Sequence, residues 1–243
     1  MKNKWIVLTL SMAALFATAC FEEEDSCNIR TPGIYVEYEV VEEDGSARAQ
    51  VTFWTGDDPG GTYLELGACG DTISVNGEEL SESGSNPTRY RGVIDVADSY
   101  EFVFDRPDEG SYASTVTDMP APVAISAPSG QSIARDESFE VIWDTNGSGQ
   151  INLLISGDCI HDYPSTLGEA ITDNGTHTVA ADALEIWSGE EGSTCSATVE
   201  LTRTTTGDLS PDLKGTIVGK TRDTASFSTT AAAGETGDSE LAD

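Results

Sequence analysis

Cys20, Cys27, Cys69, Cys159, Cys195, His161 and His177 are the side chains with the clearest chemical reach in this chain. Cysteine and histidine together raise the question of zinc, which takes four ligands at tight, recurring spacings. His161 lies in Cys159-Ile160-His161-Asp162-Tyr163 and His177 in Asn174-Gly175-Thr176-His177, and neither run supplies such a set. The expectation is two histidines on loops or strand edges. There is no Gly-x-Ser-x-Gly elbow, no His-Glu-x-x-His and no phosphate-cradling glycine loop. Serine, aspartate and histidine can meet in space without meeting in sequence, but nothing here marks such a meeting. The sequence therefore predicts no catalytic residue.

Oxygen chemistry is the alternative. Calcium takes six to eight oxygens, which clustered carboxylates can supply. Candidate ligands are Asp57 and Asp58 in Gly56-Asp57-Asp58-Pro59-Gly60, and Asp105, Asp108 and Glu109 around Arg106-Pro107. Glu42-Glu43-Asp44 is a third acidic run. None completes an EF-hand loop, and Arg106 would repel the ion. Aromatic side chains that stack on sugar rings are a further possibility. Trp54 falls on the polar-facing side of its strand, and Tyr63, Tyr163 and Trp187 are the other candidates, whereas Trp143 alternates with core positions.

The composition restricts the partners. The 243 residues hold 12 Lys and Arg against 43 Asp and Glu, a net charge of −31. A nucleic-acid interface needs a basic face that this chain is poorly supplied to build. Self-repulsion favours a soluble monomer. Such acidity, with Lys214 and Lys220 the only lysines after Lys4, resembles proteins of saline habitats. With 24 Gly and 9 Pro, a long helical bundle is also disfavoured.

The N-terminus reads as a targeting segment over 1–19. Lys2 and Lys4 precede the apolar run Trp5–Phe16, which is short for a membrane span and suited to a signal-peptide core. Ala17-Thr18-Ala19-Cys20 follows and resembles the lipobox of bacterial lipoproteins, although Ala17 stands where that family usually has Leu. The resemblance implies cleavage before Cys20 and a diacylglycerol on its thiol, with a further acyl chain such as palmitate on the new amino group. Ordinary secretion with a free Cys20 is the alternative. Phe21 rather than Asp after the cysteine implies, by the same resemblance, the outer membrane. Residues 20–27 would then form a lipidated, acidic, solvated tether.

The remainder alternates with period two, the signature of half-buried strands. Ile34, Val36, Tyr38 and Val40 share one face, with Glu37 and Glu39 on the other. Ala47, Ala49, Val51 and Phe53 repeat the pattern after the turn-like 42–46. Further strands are predicted at 62–66, 71–75, 89–96, 99–104 and 112–117, then at 150–156, 176–180, 195–203, 214–219 and 223–229, with a helical turn at 181–187. Met119-Pro120-Ala121-Pro122 interrupts the alternation and marks a boundary. The expected fold is all-β: two antiparallel β-sandwich domains in tandem, over 28–119 and 120–230, before a disordered acidic tail at 231–243; the resemblance below implies that they are immunoglobulin-like.

The second of these carries a resemblance of its own. Ile125–Gln131 followed by Phe139-Glu140-Val141-Ile142-Trp143 resembles the opening of bacterial immunoglobulin-like sandwich domains. If Cys20 carries lipid, four cysteines remain and allow three pairings. Cys27–Cys69 and Cys159–Cys195 are preferred because each closes within one folding unit. The functional expectation is a lipid-anchored envelope protein that binds an envelope protein or glycan and needs no cofactor. A calcium- or glycan-binding adhesin and an envelope hydrolase are the alternatives.

Overall fold

The computed structural model describes residues 23–83, 88–145, 149–165, 167–190 and 192–231. Cys20, the segment before it and the tail from 232 lie outside the described residues. The first half contains β1 (Glu23–Asp25), β2 (Ile34–Glu43), β3 (Ser46–Thr55), β4 (Tyr63–Glu65), β5 (Thr72–Val75), β6 (Glu78–Glu79), β7 (Ser81–Ser83), β8 (Arg89–Ile94), β9 (Tyr100–Arg106) and β10 (Gly110–Val116). The second contains β11 (Ile125–Ala127), β12 (Ser132–Ala134), β13 (Phe139–Trp143), β14 (Gln150–Gly157), β15 (Glu169–Thr172), β16 (Thr176–Val179), β17 (Cys195–Thr206) and β18 (Lys214–Thr230). The chain is thus all-β, as its alternation predicts.

One 11-stranded sheet runs through both halves, with β1-β4-β3-β2-β18-β17-β14-β15 as its main path. Two smaller sheets, β10-β9-β5-β6 and β11-β13-β16, complete the layers. Each half has its own apolar cluster. In the first, Tyr38 meets Phe102 at 4.9 Å and Phe53 meets Phe104 at 4.7 Å between ring centroids. In the second, Val141 and Trp143 join Ile151, Leu153, Val199 and Leu201. Burying each such side chain contributes about 1.5–3 kcal/mol, which drives the alternating faces inward.

The 17-residue strand β18 corrects the expectation of two strands at 214–219 and 223–229. Its first part pairs in parallel with β2, from Lys214 opposite Tyr35 to Thr221 opposite Glu42. Its length also pairs antiparallel with β17, from Val218 opposite Thr206 to Thr229 opposite Cys195. The apparent break at 220–222, Lys220-Thr221-Arg222, contains no Gly, Pro, Asn or Asp. Thr221 points inward and its hydroxyl donates to the Ala121 carbonyl at 3.0 Å, so a polar residue holds an interior position. Consequently Leu213 and Ile217 pack in the first cluster while Phe227 packs in the second, although the sequence expectation ends the first sandwich at 119.

Two other expectations change. Residues 181–187 form turns and an isolated bridge, Ile160 to Ile186, rather than a helical turn. The acidic stretch 23–27 is not a solvated tether: β1 lies parallel to β4, and Ser26 is buried. The Cys27–Cys69 disulfide and the Arg106 guanidinium, which donates to the carbonyls of Ser26 and Ile29, hold it against the fold.

Candidate functional site

The predicted candidates are scattered. Asp57 pairs with Lys214 on the surface. Asp105 accepts the Ser111 hydroxyl. Glu109 accepts the Thr31 N–H at 2.9 Å and the Thr31 hydroxyl at 2.7 Å, and these bonds hold its carboxyl below the usual glutamate range. Asp58 and Asp108 are exposed. Among the described residues, the one His/Cys/Asp/Glu trio with ligand atoms within 4.8 Å of one another is Asp158, Cys159 and Cys195. Its cysteines form the second disulfide, so they offer no thiolate. The calcium candidates are therefore not gathered into a cluster.

The aromatic candidates are also separated. Trp54 is only 7% exposed, flanked by Tyr35 at 5.9 Å and Tyr63 at 5.7 Å between ring centroids. Its strand face is the predicted one, but its neighbours leave little ring open to a sugar. Trp187 is 46% exposed and lies beside His161, at 6.2 Å. Tyr163 bridges to Ile155, and His177 sits on β16 opposite Val141.

The feature that sequence reasoning missed lies on the outward face of β8, β3, β2 and β18. Alternation along β8 turns Tyr90 and Ile94 inward and leaves Arg89, Arg91 and Val93 facing out. Ladder register then sets Arg91 beside Gln50 and Glu39, and Val93 beside Arg48, Val41 and Lys220. Arg222 follows Lys220 on the same face of β18. With Lys214 beside Tyr35, this face carries half of the 12 basic residues of a chain whose net charge is −31. Alternation indicates which side each residue takes; only the strand order shows that these residues meet.

Charge pairing across this face is uneven. Arg222 holds Glu43 through two nitrogens, at 2.7 and 3.1 Å, and reaches Glu200 at 3.6 Å. Its hydrogen bonds to Glu43 raise its pKa further. Lys220 pairs with Glu39. Glu37 is pushed up by burial and by the neighbouring Glu39 carboxylate. Arg91 donates Nε–H to Gln50 at 2.7 Å, and the exposed Arg48 side chain has no hydrogen bond or ion pair with the described residues. Between them opens a groove of about 420 Å³, lined by Arg48, Gln50, Arg91 and Arg222, with Glu39, Val41 and Val93 alongside. Such an arrangement can take a negatively charged oxygen group between two guanidinium donors.

The strand order defines an all-β protein of packed sheets with an apolar cluster in each half. Fibronectin(III)-like modules of CbhA from Clostridium thermocellum are similar over 82% of this chain and 94% of theirs, at 12% identity and a TM-score of 0.23. CBD12 from CALX1.2 is similar over 82% and 99%, at 13% and 0.23. The two tandem V-type regions of VCBP3, a v-region-containing chitin binding protein, are similar over 82% and 99%, at 11% and 0.22. At these values the likeness carries nothing about ligands. No family model and no curated protein matches the chain.

Proposed function

We propose that this chain is a lipid-anchored, non-catalytic envelope protein that binds an anionic ligand on the outward face of β8, β3, β2 and β18. The observation that carries the reading is the Arg48–Arg91 groove. In a chain with 43 acids, the neighbouring Arg48 and Arg91 have no carboxylate partner among the described residues. The anchor rests on the sequence alone, on Cys20 behind a signal-like segment, and the outer membrane on Phe21. Two acyl chains would make such anchoring stable.

Chromatography tests the binding. The protein should be retained on at least one matrix bearing carboxylate, sulfate or phosphate groups, despite its own negative charge. Retention should vanish when Arg48→Gln and Arg91→Gln are combined. Flow-through of the native protein on all three matrices overturns the reading. Independently, Cys20→Ser should move the protein from the membrane to the soluble fraction.

A further inference from the structure

We propose that the groove is a subsite for a carboxylate-bearing sugar, a uronic acid unit of an acidic glycan, with its carboxylate held between Arg48 and Arg91. This inference rests on the anion-binding reading above and narrows it to one ligand class. Arg48 stands opposite Val93, and Gln50 stands opposite Arg91, so the two arginines are diagonal neighbours on one face of the β3–β8 ladder. Long side chains in diagonal positions reach a common point. Arg91 is oriented by Gln50 through Nε, which leaves its terminal nitrogens to fork onto a planar carboxylate. Arg48 supplies a second fork, with no competitor for it among the described residues.

The other walls favour a sugar over a bare anion. Glu39 borders the groove and accepts from Lys220, so a second negative group there would be repelled while hydroxyl donors are accepted. That disfavours a phosphate dianion and suits a carboxylate flanked by hydroxyls. Val41 and Val93 add apolar surface, Val93 being 70% exposed, against which the C–H side of a sugar ring can rest. The volume lies in the usual range for small-ligand clefts, roughly 300–1,000 Å³. The remaining acidic surface repels a polyanion at long range. At about 0.15 M salt, where the Debye length is about 8 Å, that repulsion is screened and local contacts decide.

Calorimetric titration of the full chain carrying Cys20→Ser with tetragalacturonate tests this. The comparison probes are the uncharged galactose tetramer, a sulfated galactose tetramer and tetraglutamate. Tetragalacturonate should bind at one site and most tightly. Arg48→Gln and Arg91→Gln should each weaken it by about tenfold or more, and Arg91→Lys by less, because the charge remains while the fork is lost. Equal binding of the uncharged tetramer, or variants that bind like the native protein, overturns the proposal. If the sulfated tetramer or tetraglutamate binds as tightly and the variants lose it, the uronate assignment fails while the anion-binding reading stands. If no probe binds and no anionic matrix retains the protein, both fail.

Discussion

Arg203 donates Nε–H to Asp173 Oδ2 at 2.7 Å, and neither side chain is more than 5% exposed. Arg203 Nη2 also donates to Asp173 Oδ1 at 3.1 Å and to the Asp144 carbonyl, Nη1 donates to the carbonyls of Ala121 and Pro122, and Trp143 Nε1 donates to Asp173 Oδ1 at 2.7 Å. One side chain on β17 thus secures the proline-containing connection between the two clusters. The first half uses the same device: Arg106 meets Asp71 at 2.9 Å, with further bonds to Thr31, Ser26 and Ile29. In each half, then, a disulfide and an enclosed Arg–Asp pair hold irregular chain against the sheets.

Asp173→Ala should be severely destabilising. It leaves a buried guanidinium without its counter-charge and takes from Trp143 Nε1 its partner in Asp173. Removing one member of a buried ion pair costs about 3–5 kcal/mol. Urea unfolding of native and variant protein measures the difference. A loss below about 1 kcal/mol would show that the pair is not enclosed as described.

Gly215 tests the shared strand. Its φ is +138°, and a Cβ built there would lie 1.8 Å from the Val36 carbonyl oxygen, backbone that cannot move aside cheaply. Gly215→Ala should therefore separate the start of β18 from β2, with a loss of several kcal/mol. Hydrogen exchange should show the amides of β2 opening before those of β14. Native-like stability in the variant would mean that β18 does not close onto β2.

Period-two alternation made most strands legible, and Tyr38, Phe53 and Phe104 lie inward. Two cysteines in each half suggested the pairings Cys27–Cys69 and Cys159–Cys195, which the structure contains. The joined β18 was not legible, because inward Thr221 and the polar run around it look like an interruption until the Ala121 carbonyl is seen to accept the hydroxyl. The arginine face was hidden for another reason. Arg48, Arg91 and Arg222 come from segments far apart in sequence, and alternation gives a side without giving a neighbour. Trp54 shows the converse: its side was readable, but the rings of Tyr35 and Tyr63 that enclose it were not.

Glu109 predicts an acid-dependent loss of stability. Its carboxylate is held low first by the Thr31 N–H, then by the Thr31 hydroxyl, with Arg106 adding a smaller attraction. A folded value below the unfolded one means that the unfolded chain takes up the proton more readily. The contribution is therefore fully present above the ordinary glutamate value, about 4.3, and is lost as pH falls through the lower folded value. Glu37, raised by burial and by Glu39, acts with the opposite sign, since acidification relieves its ionised form in the folded chain. The two are separated by comparing native protein with Glu109→Gln, in which Glu37 is unchanged. The variant should be less stable near neutral pH, and the gap should close as the pH falls below about 4. Urea unfolding across that range measures it. A gap that stays constant with pH would show that the charge on Glu109 contributes nothing and that only its shape matters at Thr31.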